Sequence, residues 1–361
     1  MLAELTTPAF LVDAARVRAN CDRMREKARA SGVAFRPHVK THKTIEIGRM
    51  QHGGKPGPIT VSTLAEAEFF ADAGFSDITY AVPIPPEKVA RAAALAKRIE
   101  RLNVLVDSER AFRALEASGH LFDVFLKVDC GYHRAGVDPD DPDSARLALA
   151  MRDSSSVRFQ GLLTHAGHSY HAKNVEEIRH YAAAEVDAVS RFRAILGADD
   201  LVRSIGSTPT ASVVDRFAEC DEVRPGNYVF FDAFQATIGS CAIDDVAVSV
   251  LATVVGCYPE RNSLIVDAGA LAMSKDTGPD HVDPHFGYGV VCNLDLHPFP
   301  LRLIALSQEH GKIEGDVVRY PVGTQLRIIP NHSCLTAAMY DRYYALEGGR
   351  VVGEWQPVRG W

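Results

Sequence analysis

The sequence predicts a (β/α)8 TIM-type barrel followed by a second, C-terminal all-β domain. Three observations lead there. A chain of 361 residues is too long for one small core and too short for three ordinary domains. Short β-like runs alternate with helical patterns between residues 33 and 230. Beyond residue 240 the runs become β-rich, with turn residues and no amphipathic helix between them.

In order, the first strand is read over 33–39 and a helix over 44–50, stopped by Gly53 and Gly54. A strand at 59–62 leads to a helix at 64–73, ended by Gly74. Residues 77–82 form a third strand, and Pro85-Pro86 opens the next helix where proline is tolerated. Strands follow at 102–106, 124–128, 159–164, 202–205 and 222–223, with helices at 109–117, 144–152, 175–196 and 211–217. About eight alternations in about 200 residues point to a parallel barrel. A doubly wound open sheet shares that alternation, and periodicity alone does not separate the two. In the second domain, strands are read at 246–255, 263–266, 301–307 and 325–329. The extended stretch 9–12 is free to pair with them. The expected division is 10–238 for the barrel and 239–361, plus 1–9, for the β domain.

Composition excludes several classes. Hydrophobic residues at 47% and charged residues at 24% are ordinary for a globular chain and argue against disorder. The net charge of -7 gives no reason to expect nucleic acid or an anionic membrane as partner. Seven scattered cysteines without a C-x-x-C pair read as reduced thiols of a cytoplasmic protein. The first residues lack the basic start and apolar run of a signal peptide, and no apolar stretch approaches the ~18 residues of a membrane span.

Polar residues gather at the predicted strand ends, where barrels build active sites. Lys40 ends the first strand in Arg36-Pro37-His38-Val39-Lys40-Thr41-His42-Lys43. A lysine in a barrel mouth loses its proton through desolvation and nearby cations, and a neutral amine forms a Schiff base. Lys43 reads as a solvated neighbour. Gly206-Ser207-Thr208 and Gly226-Asn227 are phosphate candidates, because glycine admits an anion to backbone N–H groups and hydroxyls add donors. His332 and Cys334, at i and i+2 of a segment read as extended, point the same way and share an ion; nitrogen plus sulfur favours zinc. His165, His168 and His171 are a weaker metal set, and one of them is expected to touch substrate or cofactor.

The Arg36–Lys43 run, His165-Ala166-Gly167-His168-Ser169-Tyr170 and Pro330-Asn331-His332-Ser333-Cys334 resemble the D-serine dehydratase and D-threonine aldolase family. This is a branch of the alanine racemase-like, fold type III pyridoxal 5'-phosphate (PLP) enzymes. The resemblance covers nearly the whole chain. It implies a PLP-carrying barrel, the covalent lysine at Lys40, and Arg134 on the cofactor ring oxygen. By the same resemblance Tyr170 becomes an active-site candidate, Gly226 and Asn227 supply phosphate-binding N–H groups, and Arg224 neighbours the pyridine nitrogen; Ser207, Thr208 and His165 stand as cofactor contacts on the strand-end reading alone. It also implies a metal on His332 and Cys334, and a homodimer. Thiolate selects zinc, which tips the expectation towards dehydration of D-serine, or a related D-3-hydroxyamino acid, to a keto acid and ammonia. Lys40 then removes the α-proton while zinc assists the β-hydroxyl. A D-threonine aldolase giving glycine plus aldehyde, a racemase and a non-catalytic PLP-binding protein are the alternatives.

Overall fold

The computed structural model describes residues 2–361. Strand β1 (Ala9–Asp13) and helix α1 (Ala14–Ser31) precede the barrel. This long helix is absent from the sequence-based prediction; its mean hydropathy is low and its charges crowd the apolar stripe.

The barrel strands are β2 (Ala34–Phe35), β3 (Ile59–Val61), β4 (Asp77–Pro83), β5 (Arg101–Val106), β6 (Phe122–Lys127), β7 (Val157–Leu163), β8 (Val202–Ile205) and β9 (Glu222–Val223). They pair in parallel in the order β2-β9-β8-β7-β6-β5-β4-β3. A parallel bridge between His38 and Thr60, with the Thr60 N–H donating to the Pro37 carbonyl at 2.9 Å, joins the two ends. The ring is therefore closed, which decides for the barrel over the open doubly wound sheet.

Helices α2 (Ile45–Gln51), α3 (Leu64–Asp72), α4 (Val89–Ala96), α5 (Glu109–Ala117), α6 (Pro142–Asp153), α7 (Val175–Ile195) and α8 (Thr208–Val213) connect the strands. Their starts follow from capping: Thr63, Ser108, Asp141, Asn174 and Ser207 each accept a backbone N–H from the first turn. Strand β6 is buried at every position, as its apolar run requires. Arg36, just past β2, is buried and holds Glu222 and Asp77, each at 2.6 Å, so the barrel interior contains a paired polar plug.

The other strands are β10 (Val248–Tyr258), β11 (Ser263–Val266), β12 (Gly289–Cys292), β13 (Pro298–Leu306), β14 (Gly311–Gly315), β15 (Gln325–Pro330), β16 (Tyr343–Glu347) and β17 (Arg350–Trp355). Short helix α9 (Ala233–Thr237) precedes them, and α10 (Ala270–Met273) and α11 (Ser333–Ala338) lie between them. The order β11-β14-β13-β12-β15-β10, closed by β10 pairing with β11, makes an antiparallel barrel. The irregularity between Val254 and Gly256 bends β10, one strand that pairs with β1, β11 and β15. β1 pairs antiparallel with β10 and parallel with β16.

Contacts divide the chain into two compact units, Met1–Cys21 with Asn227–Pro357, and Asp22–Gly226 with Val358–Trp361. The division falls between Gly226 and Asn227. All seven cysteines are free thiols. Among the described residues no helix is long and apolar enough to cross a membrane.

Candidate active site

Strand β2 is shorter than its sequence suggests, because Pro37 lacks the N–H that would continue the ladder. The chain turns instead into a short 3-10 segment, Val39–Thr41, which carries Lys40. His38 caps this turn, its Nδ1 accepting the Lys40 N–H at 3.3 Å. Lys40 is thus placed by a turn, not by the strand itself. His42 is fully buried, takes the Thr44 N–H on Nδ1 at 3.1 Å and lies 3.4 Å from the Gln51 side chain. Burial pushes it down to about 3, so it is a neutral packing residue. Lys43 is not simply solvated: its Nζ lies 3.0 Å from buried Glu66.

The loop after β9 lies against this turn. The His38 N–H donates to the Pro225 carbonyl at 2.9 Å, and a Cβ on Gly226 would stand 3.0 Å from the His38 Cβ. Any larger residue would need the His38 turn to shift, so glycine suits this approach, which brings Gly226 beside the Lys40 turn. Ser207 caps α8 and shares hydrogen bonds with Thr210 and Ser169, while Thr208 is buried next to it. The Gly206 N–H is already committed to Glu185, at 3.0 Å.

Glu185 is a buried carboxylate that sequence reasoning missed. One of its oxygens accepts the N–H groups of Ala166 and Gly206, tying together the ends of β7 and β8. A signal was present: Glu185 occupies the apolar face of α7 with Ile178, Val189 and Phe192. His165 is held by that tie, its Nδ1 3.3 Å from the Gly206 carbonyl. Arg224 is buried and donates to the Ser204 hydroxyl at 2.7 Å and to the Thr164 carbonyl. Arg134 is exposed, its guanidinium over the Tyr132 ring at 5.1 Å. Tyr132 in turn stacks on His168, and a Cβ at Gly167 would collide with its ring at 2.1 Å. Tyr170 lies in the neighbouring 3-10 segment Gly167–His171.

The charges facing the two histidines of this region are one-sided. Burial, then Lys40, Arg224 and His165, hold His38 well below the usual imidazole value. Burial, then Lys40, Lys127, Arg134 and Arg224, do the same to His165. Lys127, at the end of β6, is pushed down to about 7 by burial and by Arg224, and Arg224 to about 10 by burial. Such an excess of cationic charge beside neutral imidazoles fits a ligand carrying a phosphate and a phenolate, as PLP does.

The second cluster lies wholly within the β unit. His332 and Cys334 are not on an extended segment, as their spacing suggests. His332 is the extended N-cap residue of α11, and Cys334 belongs to its first turn, because Asp232 and the Ser333 N–H begin a helix there. The two side chains nevertheless hydrogen-bond to each other. On its other side the His332 Nδ1 meets Asp276 at 3.1 Å. Asn227 donates to Asp232 at 2.9 Å, to the Ser333 hydroxyl at 2.8 Å and to the Cys334 sulfur at 3.5 Å. Burial opposes charge on His332, but Asp276, Cys334 and Asp232 hold it well above the usual value. An imidazole and a thiol facing one another among carboxylates fit a zinc-type cation. Among the described residues no three His, Cys, Asp or Glu side chains are arranged to hold a metal, so His165, His168 and His171 form no such site.

Residues 12–233 match the family of the alanine racemase N-terminal domain, and residues 247–346 match the "Putative serine dehydratase domain". The chain is 40% identical to a D-serine dehydratase of Dictyostelium discoideum, over 99% of this chain and 98% of that protein. The structure of D-threo-3-hydroxyaspartate dehydratase from Delftia sp. HT23 superposes with a TM-score of 0.93 at 40% identity, covering 100% of this chain and 99% of that one. A cysteine-to-alanine mutant of a D-threo-3-hydroxyaspartate dehydratase, described as the metal-free form, superposes with a TM-score of 0.92 at 40% identity, covering 100% and 99%. A D-threonine aldolase of Arthrobacter is more distant, 28% identical over 98% of this chain and 93% of that protein. The chain therefore belongs to the alanine racemase-like family that joins a racemase-type N-terminal barrel to a serine dehydratase domain.

Proposed function

We propose that this protein is a PLP- and zinc-dependent lyase that dehydrates D-serine, or a closely related D-3-hydroxyamino acid, to a keto acid and ammonia. The observation that carries the reading is the hydrogen-bonded His332–Cys334 pair. A thiolate donor suits zinc and Lewis-acid activation of a β-hydroxyl. The full-length similarity to two dehydratases, with the aldolase more distant, supports the same choice.

In this reading Lys40 carries the cofactor and, as a free amine, takes the proton from the substrate Cα. Arg134, with the Tyr132 ring beneath its guanidinium, would hold the ring oxygen. Gly226 and Ser207, with Thr208 and Asn227, would hold the phosphate, and His165 and Tyr170 would contact the cofactor or substrate. Bound PLP supplies an electron sink, and a metal on His332 and Cys334 supplies a Lewis acid. A cytoplasmic homodimer belongs to the same proposal.

The test is product analysis of purified protein given D-serine, D-threonine and D-threo-3-hydroxyaspartate, with and without zinc. Keto acid and ammonia are expected. Glycine plus aldehyde as the sole products would transfer the chain to the aldolase chemistry.

A further inference from the structure

The loop after α10 does more than connect two strands. Asp276 places one carboxylate oxygen 2.8 Å from the Gly278 N–H, an Asx turn that fixes its side chain. The other oxygen faces His332 Nδ1 at 3.1 Å. The backbone of the same loop is bolted to the His332 segment. Asn331 donates to the carbonyls of Asp276 at 3.0 Å and Gly287 at 2.8 Å, and the Thr336 hydroxyl donates to the Met273 carbonyl at 2.7 Å. Gly278 makes this approach possible: its φ is +65°, and a Cβ there would stand 2.5 Å from the Asn331 side chain. Carboxylate and imidazole are thus registered against each other from both sides.

A ring nitrogen bonded to a carboxylate carries the proton, which leaves the other nitrogen with its lone pair exposed. With Nδ1 on Asp276, Nε2 is the ring nitrogen left to serve a cation. We propose that Asp276 is the positioning residue of the metal pair, locking His332 in the tautomer and ring orientation that direct Nε2 and the Cys334 sulfur to one cation. The inference rests on the metal reading given above. Metal-ligating histidines commonly donate their second N–H to such a carboxylate, and loss of that partner weakens metal binding about 10- to 100-fold.

The test uses full-length protein, stripped of metal and titrated with zinc against a chromophoric chelator. Asp276→Ala is expected to lower zinc affinity about 10- to 100-fold and to alter the cobalt(II) absorption spectrum, with the PLP absorbance intact. Asp276→Asn is expected to fall between wild type and Asp276→Ala, since its single oxygen can accept from Gly278 or from His332 but not from both. It also carries the test if the alanine variant does not fold. Wild-type zinc affinity and an unchanged cobalt spectrum in either folded variant would overturn the role of Asp276 while leaving the metal pair standing. Wild-type protein that holds neither zinc nor cobalt would overturn the metal pair and this inference together.

Discussion

The two units treat histidine in opposite ways. In the barrel, His38 and His165 sit among Lys40, Lys127 and Arg224 and are held neutral. In the β unit, His332 sits among Asp276, Cys334 and Asp232 and is held well above its ordinary value although burial opposes it. Burial is common to all three, so the sign of the neighbouring charge decides the outcome. The barrel collects positive charge and neutral donors suited to an anionic cofactor. The β unit collects anionic donors suited to a cation.

That contrast predicts a double dissociation. Lys40→Ala should abolish the absorbance near ~420 nm and cut turnover by about 1000-fold or more, while zinc still binds stoichiometrically. Activity retained by this variant would break the barrel side of the comparison. Cys334→Ala should do the reverse, losing zinc and about 100-fold of dehydration while keeping the absorbance. Zinc readdition after chelation should restore wild type but not this variant.

Smaller effects sharpen the barrel side. Tyr132→Leu removes the ring beneath Arg134 and should weaken PLP affinity about two- to fivefold, whereas Tyr132→Phe keeps the stack and should bind like wild type. A PLP titration followed by absorbance checks this. Last is Lys127, whose amine is depressed from 10.5 to about 7. Between these values the unfolded chain binds the extra proton, so the burden on stability is full below about pH 7 and is relieved as pH rises towards 10.5. Lys127→Met, stripped of PLP, should therefore melt roughly 1–3 °C above wild type at pH 7, with the gap closing at alkaline pH. A gap independent of pH would show that packing, not charge, sets the difference.

Much of the barrel was legible because its code is local. Helix α5 and strand β8 begin and end where capping and apolar runs say they should. Helix α1 was not, since its stability comes from what it packs on and not from a clean stripe. Lys40, Gly226, His332 and Cys334 stood out through unusual residues in short motifs. Glu185, Tyr132 and Asp276 did not, because each acts through a partner far along the chain: Glu185 through Gly206, Tyr132 through Gly167, and Asp276 through His332.

What the sequence determined by itself was the β/α alternation of the barrel, the division into a β/α part and a β part, and the chemical identity of the candidate ligands. These depend on side-chain periodicity and residue type, which are written along the chain. Only the tertiary structure decided that the eight strands close through His38 and Thr60, that Lys40 rides on a turn beside Gly226, and that His332 begins a helix with Asp276 at its back. Closure, close approach and charge environment depend on which distant residues become neighbours, and no local pattern specifies them.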